Sequence, residues 1–292
     1  MKKCLECGTA HQGADWGCPS CGAQPAMRGG FLSFAPDSDG SEEGFDPSVF
    51  ETLARIESGS FWFAARNRLI KWALAKHFPD AKTVFEAGCG TGFALSGIQQ
   101  SFPNIKVSGA DLFARGLEFA AGRLSPGTEL YQMDAARIPF KDEFDVVCSL
   151  DSLEHIKDDE GALRGMFEAV RPGGGLVCSV PQHPWLWSEF DEQSRHERRY
   201  AARELKQKVE RAGFSVVFST SFMALLFPAM LASRMVWKLK PGRAATSEFK
   251  SGLLNSALGA AAAAEASAIM AGARFPFGGS LLVVAKKTIP CS

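Results

Sequence analysis

The chain has 292 residues, 46% of them apolar, and its 32 basic residues balance 32 acidic ones. That length suits one large domain with an appendage, or two modest ones, and the apolar share can fill a core. Electroneutrality excludes a global positive field for gathering nucleic acid, though not a local basic patch.

Four of the eight cysteines fall within the first 21 residues, where "CLEC" and "CPSC" place Cys4, Cys7, Cys18 and Cys21 as two C-x-x-C knuckles. Two such turns can supply four thiolates in a tetrahedron, the geometry of structural zinc. Gly8 and Gly22 follow the pairs, where a tight knuckle needs a permissive backbone. The pattern resembles a short zinc ribbon, a module with almost no core that takes much of its folding free energy from its metal. The start lacks a charged-then-apolar secretory segment. We therefore expect a cytoplasmic protein with metal-bound thiols rather than disulfides.

Next, "PDSDGSEEGFDP" (36–47) is polar, acidic and poor in core formers, so it reads as a linker. The boundaries expected are 1–30 for the ribbon, 31–47 for the linker and 48–292 for a second domain. "FETLARIESGSFWFAARNRLIKWAL" opens that domain with apolar residues at helical spacing, one or two helices whose Phe61, Trp62 and Phe63 pack in the core or close over a ligand.

Short β-branched runs then alternate with helical patterns, which predicts a parallel sheet covered by helices. "VFEAGCGTGFAL" (84–95) sets Gly88, Gly90 and Gly92 at alternate positions behind the first run. It lacks the lysine of a phosphate-binding loop, and the dinucleotide fingerprint fails at Phe93. "IKVSGADL" reads as strand two ending in Asp111, and "YQMDAARIPF" offers Asp134 after strand three. "FDVVCSLDSLEHI" is strand four with its loop, and "VRPGGGLVCSV" turns into strand five.

In this order, over roughly residues 50–220, the five segments resemble class I S-adenosylmethionine-dependent methyltransferases. The resemblance implies an α/β, Rossmann-like fold with a seven-stranded sheet and a reversed last strand. "FSVVFS" (214–219) and "SLLVVAKK" (280–287) suit its terminal hairpin. It implies S-adenosylmethionine as cofactor, with Glu86, Gly88, Gly90 and Gly92 along its methionine part. Asp111, beside Leu112, would accept the ribose hydroxyls, Asp134 and Ala135 would meet the adenine, and Leu150 would complete the cofactor site.

The acceptor side is less explicit. His155, in the loop after strand four, is a candidate base if the acceptor needs one. "PQHPWLWSEFDEQSRHERRY" (181–200) resembles a block of the broad type 11 methyltransferases, several of which act on lipid or prenoid acceptors. The residues carried over are His183, Trp187, Asp191, His196, Arg199 and Tyr200. We expect His155, His183 and His196 to face one pocket, with 222–237 in its wall. Arginines of this block would clamp an acidic acceptor, or pair with Asp191 or Glu192 in a lid. Residues 221–272 read as helical. Their apolar run "FMALLFPAMLA" is followed by Arg234, Trp237, Lys238, Lys240 and Arg243, which suits peripheral membrane contact. Asn255 and Glu265 argue against a span. The expected reaction is methyl transfer to a small-molecule or lipid-like acceptor; the alternative is an RNA base methyltransferase with a zinc ribbon for RNA.

Overall fold

A computed structural model describes residues 1–13, 15–36, 49–232 and 253–288. The first short strands, β1 (Lys2–Lys3) and β2 (Ala10–His11), pair antiparallel inside the cysteine module. β3 (Ala26–Arg28) and β4 (Phe31–Ser33) follow. Two helices, α1 (Val49–Ile56) and α2 (Phe61–His77), precede the alternating part. That part runs β5 (Thr83–Ala87), α3 (Phe93–Ser101), β6 (Lys106–Asp111), α4 (Ala114–Arg123), β7 (Glu129–Gln132) and β8 (Phe144–Leu150). It continues through α5 (Asp159–Ala169), β9 (Val170–Pro181), α6 (Glu189–Gln193), α7 (Ala202–Arg211), β10 (Ser215–Phe222), α8 (Leu253–Met270) and β11 (Ser280–Lys286).

The main sheet has the order β10-β11-β9-β8-β5-β6-β7-β4-β3. From the central β5 the chain steps outward through β6 and β7, then returns to build the other half from β8. That reversal between β5 and β8 is the switch point at which an open α/β sheet leaves a crevice beyond its carboxyl ends. The last strand, β11, is antiparallel to both neighbours, as expected. Strands buried on both faces read as continuous apolar runs, and alternate residues serve two cores. Val84, Cys148 and Val177 face α2, α3, α4 and α8, whereas Phe85, Val147 and Cys178 face α5 and α7.

Two expectations are corrected. The sheet has nine strands rather than seven, because β3 and β4 extend it past β7. Residues 31–33, placed in the linker by the boundary at 31, are a strand: Leu32 and Ser33 pair in parallel with Tyr131 and Gln132. The cysteine module is therefore docked. The Lys3 amide donates to the Pro139 carbonyl at 2.9 Å, and Trp16 meets Phe34, Tyr131 and Phe140 edge-on at 4.7, 5.8 and 5.4 Å. Residues 37–47 of the expected linker lie outside the described residues.

The segment expected to be helical from 221 to 272 starts with the end of β10. Residues 227–232 are helical, and α8 packs on α2. There the buried Glu265 carboxylate accepts the Leu225 amide at 2.7 Å. Among the described residues no helix is long and apolar enough to cross a membrane. The basic edge, Arg234 to Arg243 with Trp237, lies outside the described residues.

Candidate active site

The glycine turn leaves β5 at the switch point. Gly88, Gly90 and Gly92 all have positive φ, at 79°, 50° and 72°, the region that favours glycine. Space is a second reason at two of them. A Cβ on Gly88 would lie 2.4 Å from that of Ser152, and one on Gly92 would lie 3.0 Å from that of Ala120. At Gly90 only the Phe50 ring comes near, at 3.6 Å, so the backbone there borders open space. Phe50 belongs to α1, which thus covers the turn. A buried cluster pins it: the Thr91 hydroxyl and the Arg123 guanidinium both donate to Glu57 at 2.7 Å.

Asp111 ends β6 beneath the turn. One carboxylate oxygen accepts the Gly90 amide at 2.9 Å and the other accepts the Phe113 amide at 3.0 Å. Burial pushes this carboxyl up to about 6, against those hydrogen bonds. Glu86 is more isolated. It is fully buried, its Oε2 has no hydrogen-bond partner, and burial pushes it up to about 8. A buried acid in that state lacks a donor or a cation, and the ammonium of an amino-acid moiety would supply both. Asp134 accepts the Ala136 amide at 2.8 Å, which sets Ala135 in a tight turn after β7. The Leu112 carbonyl accepts from Gln132 at 3.2 Å, and Leu150 is buried at the end of β8.

Three non-glycine residues take left-handed backbone immediately beyond the strands on this side: Asp151, His183 and Met223 at φ 53°, 65° and 61°. Each follows β8, β9 or β10 by one or two residues, so the strain is concentrated at the crevice. Such strain persists only where its surroundings impose it. Asp151 is held by Arg66 from α2 and by the Ser179 hydroxyl, both at 2.8 Å.

The three histidines divide. His155 and His196 stack edge to face at 4.7 Å. His183 instead joins Trp185 at 5.3 Å and Phe227 at 5.7 Å, and Phe227 meets Phe277 at 5.9 Å. Of the segment expected in the pocket wall, Phe227 packs on His183, while 233–237 lie outside the described residues. Burial, with His196 adding to it, pulls His155 down to about 3. A general base works best near the ambient pH, and an imidazole this reluctant to hold a proton is poorly suited to that role. It remains a neutral nitrogen donor.

Two of the block's three arginines are already occupied. Arg199 donates to Asp191 at 2.6 Å and to the Gln182 carbonyl at 3.0 Å. Arg198 holds the Ile156 carbonyl and pairs with Asp159. Asp191 thus pairs with Arg199, and the anion-clamp reading loses Arg198 and Arg199. Trp187 hydrogen-bonds Glu192 at 3.3 Å, and Tyr200 is fully buried with its hydroxyl on Asp159 at 2.7 Å. Sequence reasoning missed Phe50, Glu57, Arg66, Thr91 and Arg123, whose partners lie 32 to 85 residues away.

In the cysteine module the four Sγ atoms lie within 4.8 Å of one another. The knuckles are built alike: the Gly8 amide donates to the Cys4 carbonyl at 3.0 Å and the Gly22 amide to that of Cys18 at 2.9 Å. Gly8 and Gly22 have φ of 74° and 73°. Four soft donors closing on one point fit zinc.

A model of the methyltransferase domain matches residues 57–218. A probable S-adenosylmethionine-dependent methyltransferase of Mycolicibacterium smegmatis is 28% identical over 168 residues, 56% of this chain and 63% of that protein. The demethylmenaquinone methyltransferase of Lactococcus lactis is 33% identical over 110 residues, 36% of this chain and 44% of its own. The chain thus spans less than two thirds of these relatives. Among solved structures, phosphoethanolamine N-methyltransferase 2 of Haemonchus contortus, bound to S-adenosyl-L-methionine, superposes with a TM-score of 0.57 at 19% identity. It covers 91% of this chain and 62% of that one, a likeness of fold. The match to more than half the chain, laid over a glycine turn and carboxylate at the switch point, shows that this chain belongs to the methyltransferase domain family, with a class I S-adenosylmethionine-dependent domain.

Proposed function

We propose that the protein transfers the methyl group of S-adenosylmethionine to a small-molecule acceptor with a lipid-like body and a polar head. The observation that carries the cofactor half is the pairing of Asp111 with the Gly90 amide at 2.9 Å beneath open space, beside the partnerless Glu86 Oε2. Glu86, Gly88, Gly90 and Gly92 would hold the methionine part, Asp111 and Leu112 the ribose, Asp134 and Ala135 the adenine, with Leu150 at the crevice floor. The sulfonium needs little activation, so catalysis here is chiefly positioning.

The acceptor half rests on the aromatic wall of His183, Trp185, Phe227 and Phe277, together with the half-buried pair His155 and His196. Trp185, Leu225 and Phe277 expose much of their apolar surface there, and apolar walls with a few convergent polar groups suit such a ligand. The relative acting on demethylmenaquinone supports a prenoid body. The docked cysteine module would carry one zinc on Cys4, Cys7, Cys18 and Cys21. Transfer of labelled methyl from S-adenosylmethionine into lipid, small-molecule and RNA extracts tests the reading. Label in the lipid or small-molecule fraction is expected, and label confined to RNA would overturn it.

A further inference from the structure

Glu154, His155 and His196 bring three potential ligand atoms within 4.8 Å of one another, outside the cysteine module and deep in the fold. Glu154 is 1% exposed and its Oε2 has no hydrogen-bond partner. Its acidic neighbours are neutralised: Asp151 pairs with Arg66 at 2.8 Å and Asp191 with Arg199 at 2.6 Å. Among the described residues Glu154 forms no ion pair. An interior carboxyl without a hydrogen bond on that oxygen is either kept protonated or answered by a cation brought to it.

The two imidazoles are oriented for the second outcome. His196 turns Nδ1 to Asp191 at 2.9 Å. The same Asp191 oxygen accepts from the Arg199 guanidinium at 2.6 Å, an ion pair. An ionised carboxylate only accepts, so in the neutral ring Nδ1 carries the proton and Nε2 offers its lone pair. His155 likewise has a backbone partner, the Arg195 carbonyl. Metal-bound histidines are held in this way, with the second ring nitrogen on a carboxylate or a carbonyl. The backbone reinforces the arrangement. The Glu197 amide donates to the Glu154 carbonyl at 2.8 Å, and the His196 amide to that of Asp191 at 2.9 Å.

We propose that Glu154, His155 and His196 form a second metal site, taking a divalent first-row transition ion through two imidazoles and one carboxylate. Bound ligand atoms lie about 3–3.5 Å apart around such an ion, so a small inward shift of side chains closes the site. This donor set leaves coordination positions open. The site lies three residues beyond Asp151, in the loop whose Ser152 hydroxyl donates to the Ala87 carbonyl at the glycine turn. An open position there would take an oxygen of the acceptor's polar head. That role rests on the methyltransferase reading; the binding of the ion does not.

Cobalt(II) titration of the full chain separates the two sites, because cobalt on cysteine shows thiolate charge-transfer absorption and cobalt on nitrogen and oxygen does not. Wild type is expected to take one ion of each kind. Glu154→Gln and His196→Gln should each weaken the second ion at least tenfold. Both should keep the thiolate-bound ion and the affinity for S-adenosylhomocysteine measured by calorimetry. Uptake of only thiolate-bound cobalt by wild type, or persistence of the second ion in both variants, overturns the proposal. Should the variants not fold, pulsed EPR of manganese-loaded wild type decides: coupling to imidazole nitrogens supports the site and its absence refutes it. Calorimetry showing no homocysteine-product binding beside an intact second ion would sink the methyltransferase reading alone.

Discussion

Asp111 commits both carboxylate oxygens to backbone amides before any ribose arrives, so the residue that would read the cofactor also closes the turn that cradles it. Its pH behaviour follows. Burial raises it from 3.8 to about 6, whereas ribose hydroxyls donate to the ionised form and would lower it again in the complex. Below about 6, binding must therefore expel a proton. Affinity for S-adenosylhomocysteine is expected to fall by up to about tenfold per pH unit there, after a shallower fall that begins near 8, where Glu86 must also ionise to take the ammonium. Calorimetry from pH 5 to 8 checks the slope; a flat profile would remove Asp111 from the ribose. Asp111→Ala should cost about 2–3 kcal/mol of binding at pH 7.5, through the charged hydrogen bonds lost. Gly90→Val tests the space beside the turn: at φ 50° and against Phe50, it should abolish binding in the same assay. The order of glycines and acids was legible in the sequence because each stands just after its own strand. Glu57 and Arg66 were not, since their partners Thr91 and Asp151 are close only after the sheet has formed.

At the scale of elements, the parallel sheet and its reversed last strand could be read from continuous apolar runs, but β3 and β4 could not. Three residues such as Phe31–Ser33 carry no periodicity, and their pairing with β7 spans about a hundred residues. Only the boundary at residue 31 puts them in the linker. The contact that fastens them is Trp16 among Phe34, Tyr131 and Phe140. Trp16→Ala removes three edge-on ring contacts, together about 2 kcal/mol, and should lower the melting temperature by about 4–8 °C. Protease should then cut between residues 36 and 49 sooner than in wild type. An unchanged melting curve and cleavage rate would mean that the module is fastened elsewhere. The histidines give a similar lesson. All three are expected in one pocket, yet His183 joins an aromatic cluster while His155 and His196 join Glu154.

Across the whole molecule, the cysteine module and the sheet share an edge, so metal in one should be felt by the other. Cys4→Ser is expected to reduce thiolate-bound zinc from about one per chain to none, by elemental analysis after gel filtration, and to lower the melting temperature. Zinc loss with an unaltered melting curve would show that the module docks without its ion. The docked edge also imposes an order of events during synthesis. Residues 1–34 leave the ribosome about a hundred residues ahead of β7, the strand on which they settle. At about 5–20 residues per second, that is a wait of roughly 5–20 s. Throughout it, Trp16, Phe31 and Phe34 have no aromatic bed to lie in, and β4 offers a bare edge to any passing strand. An ion gathered by the four early cysteines would hold the module in shape over that interval. In that sense residues 1–34 would serve as a waiting template, completed only when β7 arrives.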